Sequence, residues 1–287
     1  MPSNSTKMKK ILLPTDFSKN ARNAIDYALQ LFKDETCVFF ILNTYTPMIY
    51  NYEYQINADQ YMMESVDMVK KNSEEKLDEL IRSVKKKFNN LKHKFKTISS
   101  FNILSDEVIE LTDEYHLDLI IMGTKGASKD REILFGSNTI HVIKKAECPV
   151  IAIPENFDFE APKEILFPTD YKFDYQLEVL NPIIEIANMY NPRVNILHIY
   201  YSDELSEDQE QNKLKLDNYF SNIAHLFYYA SNQNITDAIK KFQLRAKINL
   251  LVIMNKRHSF FEKLFSKSAI NQIVLHLNIP LLVIPTE

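Results

Sequence analysis

The chain has 287 residues, 45% of them hydrophobic and 25% charged, a composition that fits a soluble globular protein of two domains. A formal charge of −4 and a pI near 6.0 argue against nucleic acid as the main partner, because phosphate-backbone binding carries a basic footprint. No apolar stretch reaches membrane-spanning length and the first ten residues lead into no signal-peptide core, so the expectation is a cytoplasmic protein with no membrane partner.

Taken in chain order, short runs rich in Ile, Val and Leu alternate with amphipathic stretches, the pattern of a parallel sheet covered by helices on both faces. Strands are predicted near 9–14, 37–44, 95–101, 118–122 and 149–153. Ala21, Ala24, Ile25, Ala28, Leu29 and Phe32 recur at the spacing of one helix face, and Leu77, Leu80, Ile81, Val84, Phe88 and Leu91 mark a second, longer helix. Lys85, Lys86 and Lys87 on that helix read as its solvated side. Ile109 and Leu111, with acidic residues between 106 and 114, suggest a third helix, and 137–146 a fourth. A short linker, 155–162, leads to strands near 163–168, 193–199, 225–230, 249–253 and 281–284, with helices near 174–190, 207–223, 235–246 and 268–277. Pro182 weakens the first of these, since a mid-helix proline kinks or ends it.

The halves repeat one another. Ile11-Leu12-Leu13-Pro14-Thr15-Asp16 returns as Ile165-Leu166-Phe167-Pro168-Thr169-Asp170, a shift of 154. Asp118 to Met122 matches Asn249 to Ile253, and Pro149 to Pro154 matches Pro280 to Pro285, both at a shift of 131, so the second copy has lost 23 residues from its middle. The domains are read as 1–158 and 159–287.

All three glycines lie just beyond the apolar run Leu119 to Met122, spaced Gly123-x2-Gly126-x9-Gly136-Ser137. Glycine lets backbone N–H groups approach a bulky anion and tolerates positive φ, so this clustering points to a phosphate-cradling loop ahead of ordinary turn glycines. Lys125, Lys129 and Arg131 inside the loop supply charge that could neutralise a phosphate. Neither a Walker-type loop nor a Rossmann glycine fingerprint is present.

This glycine spacing after a buried strand, together with an amino-terminal strand ending in Pro14-Thr15-Asp16, resembles the universal stress protein family in its tandem two-domain form. The resemblance implies two flavodoxin-like or Rossmann-like α/β units, each a five-stranded parallel sheet with helices on both faces. It also implies ATP, with AMP and ADP as alternatives, at the carboxyl ends of the strands. Carried onto this chain, Pro14, Thr15 and Asp16 border the adenosine, Asp16 lying near the ribose or a nucleotide-bound Mg²⁺, and the Thr44 backbone touches the adenine. Met122 and Gly123 flank the ribose, while Gly126, Gly136, Ser137, Asn138 and Thr139 hold the phosphates. The family's pairing through its last strand implies that 150–153 and 281–284 join the two domains as an intrachain pseudo-dimer. A homodimer of chains is left open, and the regulated partner protein is unknown.

The second copy serves as an internal control. Gly123, Gly126 and Gly136 become Met254, Arg257 and Lys267, whose bulk would fill the space of a triphosphate, so the second domain is expected not to bind ATP in this way. Asp170 and Ser268 persist, which gives Asp16 an equal claim to be a helix cap and raises the same reading for Ser137, where ligand contact stays ahead because the glycines survive beside it. The basic residues Lys256, Arg257, His258, Lys263 and Lys267 read as drift around the lost loop, ahead of a different anion site for a smaller phosphate. Seven histidines show no metal-type pair, and Cys37 and Cys148 have no partner base, so no catalytic residue is assigned and at most weak ATP hydrolysis is expected. The leading reading is a stress-response, ATP-binding regulator; the alternatives are a ligand-independent, chaperone-like scaffold or a slow ATPase. Tyr45, Tyr50, Tyr52, Tyr54 and Tyr61, with Met62 and Met63, form an aromatic segment unique to the first copy, a satellite core ahead of a lid.

Overall fold

The computed structural model describes residues 8–46, 58–125, 136–200, 204–231, 234–255 and 278–286, the side chains of 58–65 excepted. The first half runs β1 (Lys9–Pro14), α1 (Lys19–Leu31), β2 (Cys37–Thr44), α2 (Ala58–Phe88), β3 (His93–Ser100), α3 (Leu104–Tyr115), β4 (Leu119–Gly123), α4 (Ser137–Lys145) and β5 (Val150–Ile153). The second half runs β6 (Glu164–Thr169), α5 (Leu177–Tyr190), β7 (Arg193–Tyr200), α6 (Glu207–Tyr219), β8 (His225–Ser231), α7 (Ile235–Arg245), β9 (Leu250–Asn255) and β10 (Leu281–Pro285).

All ten predicted strands form, in one sheet ordered β3-β2-β1-β4-β5-β10-β9-β6-β7-β8. Pairing is parallel within each half and antiparallel only where β5 meets β10, with Val150 opposite Val283 and Ala152 opposite Leu281. The two five-stranded units are thus joined through the strands expected to join them, and each covers the edge its twin would otherwise leave open. Central strands are buried on both faces: Ile11 and Leu13 enter the core beneath α1, α2, α5 and α6, while Leu12 enters the core beneath α3, α4 and α7.

Local chemistry sets the helix ends. Ser18 caps α1 by accepting the Ala21 N–H at 3.2 Å, Ser206 and Gln209 form a reciprocal capping box on α6, and Asn234 caps α7. His116 and Asn191 end α3 and α5 in the left-handed conformation. α5 continues through Pro182, because the carbonyl that the proline leaves unpaired belongs to Glu178, an exposed residue in the first turn. It begins at Leu177 rather than 174. Leu91, placed by its spacing on the buried face of α2, lies beyond the helix and is 97% exposed, since Asn89 at φ 37° has already ended it. The helix expected over 268–277 and most of the Tyr45–Tyr61 segment lie outside the described residues.

The linker packs Phe157 and Phe159 against Tyr27, with ring centroids 6.2 and 5.2 Å away, and the Asn23 amide donates to the Phe157 carbonyl at 3.0 Å. Across the halves, the Tyr190 hydroxyl donates to the Leu31 carbonyl at 2.6 Å.

Candidate functional site

The chain leaves β1 toward β2 and β3, then returns on the other side as β4 and β5, so the strand order reverses between β1 and β4. Loops leaving the carboxyl ends diverge at such a point and open a crevice. A cavity of about 270 Å³ stands there, and its lining includes Pro14, Thr15, Asp16, Thr44, Met122, Gly123, Gly136, Ser137, Asn138 and Thr139. Elements far apart in sequence therefore bring together every residue assigned by resemblance except Gly126. That glycine, with Lys129 and Arg131, lies outside the described residues. Ala21, Leu104 and Lys125 complete the wall. Ala21 reads in the sequence only as a core position of α1, and Leu104 could have been found as the first residue of a helix that follows β3 at the same sheet end.

The turn after β1 is built by its own side chains. Thr15 Oγ1 accepts the Phe17 N–H at 3.0 Å, Asp16 Oδ1 accepts the Ser18 N–H at 3.0 Å, and the Asn43 amide donates to the Thr15 carbonyl at 2.7 Å. Phe17 sits at φ 63°. The second half repeats the turn: Thr169 accepts from Tyr171 at 2.9 Å, Asp170 from Lys172 at 3.0 Å, and Tyr171 has φ 56°. Pro-Thr-Asp is thus kept in both copies by a turn. Asp16 is not the cap of α1, which is Ser18, and Ser137 is not the cap of α4, which is Gly136.

Neither described glycine has positive φ, contrary to one reason given for glycine here. Gly136 is extended (φ −60°, ψ 152°) and makes no side-chain cap hydrogen bond, so the first N–H groups of α4 carry no side-chain cap. Gly123 is required by close approach: an added β-carbon would lie 2.7 Å from Asn20 Nδ2 and 2.8 Å from its Cγ. Asn20 Nδ2 in turn donates to the Lys125 carbonyl at 2.8 Å, where the glycine loop begins. Thr139 Oγ1 donates to the Gly123 carbonyl at 3.0 Å, so its hydroxyl ties α4 to β4. Lys125 Nζ stands 3.8 Å from Glu155 Oε2. Among the described residues no group of three or more His, Cys, Asp or Glu could hold a metal ion on its own.

In the second half the corresponding strand ends are packed with rings. Tyr171 stacks on His198 with centroids 4.3 Å apart, and the buried Tyr175 hydroxyl hydrogen-bonds Thr169. Burial holds the His198 imidazole below its usual range and raises both tyrosines. His198 takes the place of Asn43, its Nδ1 lying 3.2 Å from the Thr169 carbonyl, and Tyr175 takes the repeat position of Ala21. Met254, in the place of Gly123, is 7% exposed. Arg257, Lys267 and the rest of the basic cluster lie outside the described residues.

The model of the universal stress protein family matches residues 7–154, more than half of the chain. The chain belongs to the universal stress protein family. Universal stress protein MJ0577 of Methanocaldococcus jannaschii is 29% identical over 157 residues, covering 52% of this chain and 96% of that protein. Universal stress protein Sll1654 of Synechocystis is 27% identical over 146 residues, covering 51% and 85%. The crystal structure of a universal stress protein from Archaeoglobus fulgidus aligns over 96% of each chain with a TM-score of 0.64 at 17% identity, which extends the shared fold to both halves. No helix among the described residues is long and apolar enough to cross a membrane.

Proposed function

We propose that the first domain binds an adenine nucleotide, ATP foremost, and that this occupancy lets the protein act as a regulator in a stress response. The observation that carries the reading is the convergence of Pro14, Thr15, Thr44, Met122, Gly123, Gly136 and Ser137 on one cavity at the point where strand order reverses. The residues suit the parts of the ligand. The amino end of α4 offers N–H groups and a favourable dipole to phosphate, Gly136 removes the side chain that would stand in the way, and Lys125 adds a cation on the wall. The backbone at Thr44 and the side chain of Met122 suit the adenosine.

Asp16, exposed on the rim, would share a Mg²⁺ brought in with the phosphates, a mode in which one carboxylate suffices because the nucleotide and water supply the other ligands. AMP and ADP share the adenosine contacts and differ only at the α4 end. The second domain binds no nucleotide at its strand ends, where Tyr171, Tyr175 and His198 are packed instead. Nucleotide released by acid from protein purified without added ligand tests the reading: one adenine nucleotide per chain supports it, and its absence favours the ligand-independent scaffold.

A further inference from the structure

We propose that the second domain carries a separate site for a small amphipathic organic anion, in a cavity of about 530 Å³ between α7 and the strands β7 and β8. Comparison of the two halves carries the inference. In the first domain the matching space is filled: Tyr115, at the end of α3, packs on Phe40 of β2 with ring centroids 4.7 Å apart, and Lys96 Nζ stands 5.4 Å from the Tyr115 ring. The repeat shift of 131 puts Ala246 where Tyr115 stands, and the strand register puts Asn195 opposite Leu166 where Phe40 is opposite Leu12. Two rings in tilted contact have become a methyl group, which lines the cavity, and a small amide, and a cavity of the size small molecules use remains.

Charge changes in the same places. Glu110 and Glu114 on the outer turns of α3 correspond to Lys241 and Arg245 on α7, and both line the cavity, as does Lys247. The one carboxylate in the lining, Glu164, is already matched: Arg193 donates to it through Nε at 3.0 Å and Nη2 at 2.6 Å, and Asn195 Nδ2 at 2.9 Å. Among the described residues Lys241, Arg245 and Lys247 have no ion pair. The floor is apolar, with Leu197, Ala238 and Tyr228, whose ring meets Phe242 edge-on at 4.9 Å. A wall of rings and aliphatic carbon beside three unmatched cations selects a carboxylate, sulfonate or phosphate on an apolar or aromatic body. The site shares no element with the first domain's cavity and does not depend on the nucleotide reading.

The test is a fluorescence titration of the full chain with anilinonaphthalene sulfonate, against neutral phenylnaphthylamine, in the wild type, Ala246→Tyr and the double variant Lys241→Glu/Arg245→Glu. The expected result is one saturable sulfonate site, undisturbed by saturating MgATP and weakened about tenfold or more in each variant, with the neutral dye insensitive to the charge reversals. The charge reversals sit on an exposed helix face and keep the test sound if the tyrosine variant fails to fold. No saturable binding, displacement by MgATP, or sulfonate affinity unchanged by the charge reversals overturns the assignment.

Discussion

The Asn20 amide lies against Gly123 so closely that any β-carbon on the glycine would stand 2.7 Å from Asn20 Nδ2. Asn20 cannot simply turn aside, because it is 3% exposed and its Nδ2 is held by the Lys125 carbonyl. The pair therefore fixes where the glycine loop leaves the sheet. Gly123→Ala is expected to destabilise the protein by about 1–2 kcal/mol in urea unfolding, as overpacking does. Adding Asn20→Ala should recover part of that loss, a non-additivity that two independent sites would not give.

Gly136 separates fold from ligand. Its extended backbone accepts any residue, so Gly136→Val is expected to change stability by no more than about 1 kcal/mol, the scale of an N-cap replacement. With the nucleotide seated as proposed, MgATP affinity should nevertheless fall about tenfold or more, because the branched side chain enters the cavity where α4 begins. Thermal melts and calorimetry on the same samples check both halves.

Acidification should weaken the second domain through His198. Burial lowers its folded-state pKa below the unfolded value near 6.5, so the unfolded chain takes up the proton first. The stability contributed by the neutral ring is present above about pH 6.5 and is lost as pH falls toward the depressed folded value. His198→Asn, which copies Asn43 of the first domain, keeps a donor for the Thr169 carbonyl and cannot titrate. Melting temperature measured from pH 7 to about pH 5 should fall less steeply in the variant than in the wild type, with buried His93 supplying part of the remaining slope.

The β5–β10 seam makes ten strands one sheet, and Leu282 sits in it between Ile151 and Val252. Leu282→Pro removes a ladder donor from a central strand and is expected to cost about 3 kcal/mol or more. Unfolding followed by fluorescence and by circular dichroism should shift together. A variant as stable as the wild type would mean that the seam does not hold the halves.

The central strands were legible because both of their faces are buried, which writes unbroken runs such as Ile11 to Leu13 and Leu250 to Ile253 into the sequence. The repeat showed two copies of one unit, the family resemblance implied their topology, and the glycine spacing with Pro14-Thr15-Asp16 located the cavity. What escaped was local. Nothing in the composition says that Phe17 and Tyr171 take positive φ, since bulky residues adopt it only when side-chain bonds such as those of Thr15 and Asp16 hold them. For Gly123 the sequence offers only the ligand as a reason for glycine, and the close approach of Asn20, a side chain distant in sequence, is a second reason that only packing reveals. The rings over the second domain's strand ends were also hidden, because Tyr171 and Tyr175 sit in a stretch that repeats the spacing of the α1 entry without repeating its helix.

The most direct measurement is calorimetric titration of the full chain with MgATP. One site per chain, weakened about tenfold or more in Gly136→Val and retained in His198→Asn, is the predicted result. No binding heat, or two sites per chain, contradicts the account.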